Sequence, residues 1–176
     1  MAQVYSFAPI ADADARILIL GSMPGVASLT AGQYYAHPRN SFWKILGELL
    51  GFESDSVYDL RVLALQSAGI AIWDVLYSCY RQGSADAMIE QESLLINDFK
   101  SFFESHANIR WVFFNGRQAE NFYKRLVIPD LPINRLVYNR LPSTSPAYAA
   151  LNFTQKLSAW RVLAECLAIA DSESVV

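Results

Sequence analysis

Short, almost wholly apolar runs alternate along this chain with longer segments whose apolar positions recur at helical spacing. Ile17–Leu20, Ile70–Val75 and Trp111–Phe114 are apolar runs closed by turn residues, the pattern of strands buried on both faces. Arg135–Leu141 reads as a fourth strand, running into Pro142. Ser41–Leu50 carries Phe42, Ile45, Leu46 and Leu49 on one helical face before Gly51, and Val57–Ala68 carries Leu60, Leu63 and Ala64 before Gly69. Further helices are expected over Leu94–His106, Arg117–Leu126 and about Thr154–Ala170. Tyr77–Gln91 is polar and reads as an irregular surface loop leading to a short helix. Residues 1–15 read as a loosely tied lead-in and 171–176 as a loosely ordered tail. Strands alternating with helices predict an α/β fold: a three-layer αβα single domain over residues 1–176, with a central, mainly parallel four-stranded sheet.

Composition narrows the class. The chain has 176 residues, of which 53% are hydrophobic and 18% charged, so it can bury a core without staples and is not of the disordered type. No apolar run approaches the roughly 20 residues that span a bilayer. The N-terminus has no basic segment leading into an apolar one, so the expected location is the cytoplasm, with no membrane partner. Cys79 and Cys166 lie far apart, without CxxC or Cys/His spacing; reduced structural thiols are expected, with no metal or iron–sulfur cluster. The net charge is −3, which argues against a non-specific nucleic-acid binder unless a local basic patch overrules it.

In a parallel sheet the strand ends share one edge, so the polar residues after each strand are expected to converge. These are Ser22–Gly25, Asp74, Asn115-Gly116 and Leu141–Pro146. GSMPG is neither GxGxxG nor a P-loop, and Pro24 removes a backbone N–H that a phosphate cradle would use. No cofactor is therefore expected. Ser22 lacks the GxSxG spacing of a hydrolase elbow. Tyr34-Tyr35, followed by His37, Arg39 and Asn40, offers aromatic faces beside hydrogen-bonding groups, suited to a flat heterocycle. Ser143-Thr144-Ser145 between Pro142 and Pro146 is a rigid row of hydroxyls suited to phosphate oxygens, with Arg117, Arg135 and Arg140 supplying local positive charge. Each residue also has a plainer reading. Tyr35 can be core, His37 a loop-fixing partner, Asn40 the N-cap of the next helix, and Ser143–Ser145 an ordinary turn. For Asp74, capping, hydrogen bonding and catalysis all stay open.

The segments GSMPG…GQYYAHPRNSFW and LPSTSPA resemble the uracil-DNA glycosylase superfamily, and in particular its hypoxanthine-DNA (deoxyinosine) glycosylase branch. GIAIWDVLYSCYRQGSADAMI and VFFNGRQA extend that likeness. The resemblance implies excision of a flipped, deaminated base from double-stranded DNA by N-glycosidic hydrolysis. It implies Tyr35 as the stacking aromatic, Asn40 as the catalytic asparagine, Leu141–Ala147 as the backbone-gripping and wedge motif, and Asn115 as a reader of the base edge. The backbone N–H groups of Ser22 and Met23 and the Tyr34 hydroxyl would stabilise the departing base, while Arg39 and Pro142–Pro146 would hold DNA. Met23 stands where the mismatch-specific uracil enzymes have an asparagine, which places the catalytic duty on Asn40. Three alternatives remain: a uracil or mismatch glycosylase of the same fold, a non-catalytic nucleic-acid-binding relative, and a small-molecule hydrolase on a similar sheet.

Overall fold

A computed structural model describes residues 2–173. Its centre is a four-stranded parallel sheet of β2 (Ile17–Gly21), β3 (Ile70–Asp74), β6 (Trp111–Asn115) and β7 (Val137–Leu141), in the order β3-β2-β6-β7. Ile17 pairs with Ile70 and with Trp111, and Trp111 pairs with Val137. The strands therefore start level and end level, which puts Gly21, Asp74, Asn115 and Leu141 along one edge.

Alternation along the strands divides the core in two. Ile17, Ile19, Ile70, Ile72, Trp111 and Phe113 face α2 (Phe42–Leu50) and α6 (Phe153–Glu173), with Leu65 of α3 (Tyr58–Ser67). Leu18, Leu20, Ala71, Trp73, Val112 and Phe114 face α4 (Phe99–Ser105) and α5 (Arg117–Leu126). This is the expected three-layer architecture. The fourth strand is less buried than its neighbours because it is an edge, and it begins two residues later than expected.

Four stretches differ from expectation. The lead-in is not loose: β1 (Ala2–Tyr5) pairs antiparallel with β4 (Leu76–Arg81), and Ile10 bridges Ile72. The first half of Tyr77–Gln91 is thus strand and not loop. Its inward positions include Ser78 and Arg81, so the apolar alternation that announces a half-buried strand is hidden. Leu94–His106 splits into β5 (Leu95–Ile96), which pairs with β4, and α4. Asp98 sets the later helix start, accepting the Ser101 N–H at 3.1 Å as an N-cap. A short helix, α1 (Val26–Ala31), follows the Gly/Pro elbow, ended by Gly32 at φ 63°. At the C-terminus, helix α6 runs to Glu173, and the remainder of the expected tail lies outside the described residues.

Candidate active site

Four strand ends and the N-termini of two helices meet at the edge defined by Gly21, Asp74, Asn115 and Leu141. The paired tyrosines take different roles there. Tyr34 is fixed at three points: its N–H donates to the Tyr58 hydroxyl at 3.0 Å, its carbonyl accepts from Trp43 Nε1 at 2.9 Å, and its own hydroxyl donates to the Ala8 carbonyl at 3.0 Å. It is a buried anchor, and its occupied hydroxyl does not support the expected role against a departing base. Tyr35 then turns to φ 55°, the one described non-glycine residue with positive φ. Such a conformation persists only where the surroundings over-determine it. The turn lays the Tyr35 ring on Phe42, centroids 3.8 Å apart and planes 18° from parallel.

Asn40 follows in the same loop, two residues before α2. Its Oδ1 accepts the Phe42 N–H at 3.0 Å and its own N–H donates to the His37 carbonyl; the N-cap position of α2 is Ser41 and not the expected Asn40, which instead forms an Asx-type turn leading into the helix. His37 Nδ1 accepts the Arg39 N–H at 3.1 Å, the loop-fixing role. Arg39 itself is exposed.

Thr144 is the junction that joins these pieces. Its N–H donates to Asn115 Oδ1 and its Oγ1 accepts from Asn115 Nδ2, both at 2.9 Å. Its carbonyl accepts both the N–H and the hydroxyl of Ser41. Two expectations change accordingly. Asn115 gives one Nδ2–H and one Oδ1 lone pair to Thr144, so its first duty is to position the loop, and the buried Thr144 faces protein and not phosphate. Ser143 and Ser145 differ: their Oγ atoms accept the backbone N–H groups of Ser145 and Ala147 at 3.2 Å, which leaves each hydroxyl hydrogen to donate outward. The Pro142 carbonyl accepts from Trp160 Nε1 at 2.9 Å, and Pro146 is half-buried. Gly116, at φ 95°, is obligatory because a Cβ there would meet Ser143 Cβ at 3.0 Å.

The loop after β2 is held from the far side. Ser22 Oγ donates to Asp86 Oδ2 at 2.7 Å, and the Val26 N–H donates to Ser84 Oγ at 2.8 Å. The Arg81 guanidinium, 2% exposed, donates to the Pro24 carbonyl and lies 4.0 Å from Asp86. Met23 points its side chain into the core beside Leu20 and Trp73, so no amide occupies that position.

Asp74 is the residue whose role the sequence left open. It is 4% exposed, and its Oδ2 takes no hydrogen bond from any described residue. A Cβ at Gly21 would sit 2.5 Å from Asp74 Oδ1 and 3.2 Å from the Tyr35 hydroxyl, so both oxygens crowd one point over that glycine. Burial, reinforced by the Asp86 carboxylate and opposed by Arg81, pushes the Asp74 carboxyl up to about 7. Burial raises the Tyr35 phenol as well, which keeps it protonated.

Cations are sparser than the sequence suggests. Arg140 pairs with Glu120 at 3.0 Å, and Arg135 donates to the Phe103 carbonyl. Lys156 was not singled out by sequence, since a lone lysine in a helix carries no signal. It is 6% exposed and donates to the Ser145 carbonyl at 3.3 Å.

The model of the uracil DNA glycosylase superfamily matches residues 8–165. The chain belongs to that superfamily. Two proteins named hypoxanthine DNA glycosylase, from Methanosarcina barkeri and Methanosarcina acetivorans, are 38% and 37% identical to this member over 117 residues. Those residues make up 66% of this chain and 73% of each relative. A solution NMR structure from Methanosarcina acetivorans, provisionally designated a uracil DNA glycosylase, superposes with a TM-score of 0.79 at 32% identity. That match spans 95% of this superfamily member and 99% of the other chain.

Proposed function

We propose that this chain is a monofunctional DNA glycosylase, a single domain over residues 1–176 acting in the cytoplasm on double-stranded DNA. Its substrate is a flipped deaminated base, hypoxanthine first, and its product an abasic site. Water adds to C1′ of the deoxyribose as the C1′–N9 bond breaks; the bonding electrons leave with the base, and the proton lost by water passes to the base or to solvent.

The observation that carries this reading is the fixed placement of Asn40 beside the converging strand ends, in a chain related to two hypoxanthine DNA glycosylases. Because Asn40 Oδ1 is engaged by the helix, Nδ2 is the group offered. It donates either to the departing base or to the water oxygen, and positioning supplies most of the gain, since a neutral amide is no strong base. Tyr35, backed by Phe42 on one face, offers its other face to the flipped base. Backbone N–H groups of Ser22 and Met23 line the same end, while Arg39, Ser143 and Ser145 contact phosphates. The buried apolar side chain of Met23 favours hypoxanthine over the uracil and mismatch alternative, which relies on an amide there.

Single-turnover incubation with duplexes bearing inosine, uracil or xanthine, followed by alkaline cleavage at abasic sites, tests the assignment. Inosine strands are expected to be cut fastest, and Asn40→Ala is expected to slow them by at least about a hundredfold. An unchanged Asn40→Ala rate overturns the role of that residue. Intact strands from every duplex overturn the enzyme reading.

A further inference from the structure

The polar side chains at the strand ends are nearly all engaged with protein. Asn115 bonds Thr144, Ser22 bonds Asp86, Tyr34 bonds Ala8, and Asn40 Oδ1 accepts the Phe42 N–H. One buried oxygen there, Asp74 Oδ2, takes no hydrogen bond from any described residue, and the Tyr35 hydroxyl beside it has only the nearby Asn115 amide, outside good hydrogen-bond geometry. Leaving such groups unpaired costs free energy unless a ligand completes them.

Their geometry says what would complete them. Tyr35 lies flat on Phe42, so a base stacked on its open face lies parallel to that ring. The hydroxyl end of the ring crowds the same point over Gly21 as Asp74 Oδ1, which brings the edge of that base to the Asp74 carboxyl. The backbone that carries this carboxyl is fixed, because Asn97 Nδ2 donates to the Asp74 carbonyl at 2.8 Å and to the Leu76 carbonyl at 3.2 Å.

Resting on the glycosylase reading, we infer that Asp74 recognises the flipped base, its neutral carboxyl forming two hydrogen bonds with the lactam edge of a deaminated base. A carboxylic acid presents one donor and one acceptor side by side. Hypoxanthine presents the complement, the O6 acceptor next to the N1–H donor, and xanthine and uracil carry the same lactam pair. An ionised carboxylate would take the N–H but repel the carbonyl oxygen. Burial favours the neutral form. The charged groups facing Asp74 are Asp86, which also favours it, and Arg81, which opposes it; Tyr34 and Tyr35 are packed beside it as neutral phenols. The same acid can pair with the adenine edge by exchanging its donor and acceptor oxygens. Rejection of adenine therefore rests on flipping, which is least costly for a mispaired base.

The test is kcat/KM on an inosine duplex from pH 5.5 to 9 for the wild type, Asp74→Asn and Asp74→Ala, with circular dichroism confirming the fold of each. For the wild type, kcat/KM is expected to fall about tenfold per pH unit above the titration of the free enzyme. Asp74→Asn carries a permanent donor and acceptor, so it is expected to stay within about tenfold of wild type at pH 6 and to lose the alkaline fall. Asp74→Ala is expected to lie at least about a hundredfold below wild type at pH 6, with the gap closing as the wild type falls at alkaline pH. A wild-type profile that climbs through neutrality, or an Asp74→Asn protein as slow as Asp74→Ala, makes Asp74 a base acting on water and overturns base recognition. In either of those cases wild-type excision is retained and the glycosylase reading stands. A wild type that releases no base from any duplex overturns both.

Discussion

Asp74 ends an otherwise apolar strand with one oxygen that takes no hydrogen bond from any described residue, and that placement ties stability to pH. Its folded-state titration, raised to about 7, lies above the range of an unfolded aspartate. Between those values the folded chain binds a proton that the unfolded chain has released. Stability is therefore full at low pH and falls as pH rises through neutrality. A shift of this size corresponds to a loss on the order of 4 kcal/mol. Asp74→Asn has no such titration. Urea unfolding at pH 5 and pH 8 is expected to show the variant gaining on wild type at the higher pH; parallel behaviour would mean the carboxyl ionises freely in the folded state.

At the scale of elements, the site is assembled by Thr144, which ties the loop after β7 to the end of β6 and to the start of α2. Thr144→Val keeps the shape but leaves the half-buried Asn115 Nδ2 without its acceptor. That costs about 1–3 kcal/mol, read as a lower urea midpoint with an unchanged slope. Because Asn40 precedes Ser41, which bonds Thr144, excision is expected to slow as well. A normal rate at lowered stability would show that Asn40 is held by its own bond to the Phe42 N–H alone. The strap formed by Arg81, Ser84 and Asp86 braces the loop after β2 in the same way.

For the whole molecule, the difficulty is binding a polyanion with a net charge of −3. Local charge must decide, and the free cations near the strand ends reduce to a few, Arg39 chief among them, since Arg140 is paired with Glu120. The salt dependence of duplex binding is expected to be shallow, and Arg39→Ala to reduce the slope of log K against log salt by about one. A steep slope unaffected by Arg39→Ala would move the DNA path elsewhere. Among the described residues no helix is long and apolar enough to cross a membrane.

The sequence by itself determined the sheet and the edge at which the site lies. Buried parallel strands must be apolar on both faces, so Ile17–Leu20, Ile70–Val75 and Trp111–Phe114 announced themselves, and a parallel sheet gathers the polar residues that follow them. The run from Tyr34 to Asn40 was legible as chemistry because aromatic and amide groups cluster there without a core periodicity. Only the tertiary structure decided which groups remain available. Tyr34 and Tyr35 are indistinguishable as letters, yet one hydroxyl donates to the Ala8 carbonyl and the other meets no well-formed hydrogen bond among the described residues. Asn115 pointed to a base edge until Thr144, 29 residues on, took both ends of its amide. The β1-β4-β5 sheet stayed hidden because its inward positions include Ser78 and Arg81, whose burial depends on partners remote in sequence. The Asp74 environment is likewise a sum over Gly21, Tyr35, Arg81 and Asp86. Local sequence sets which groups a residue carries; long-range contacts set which of them are left free to react.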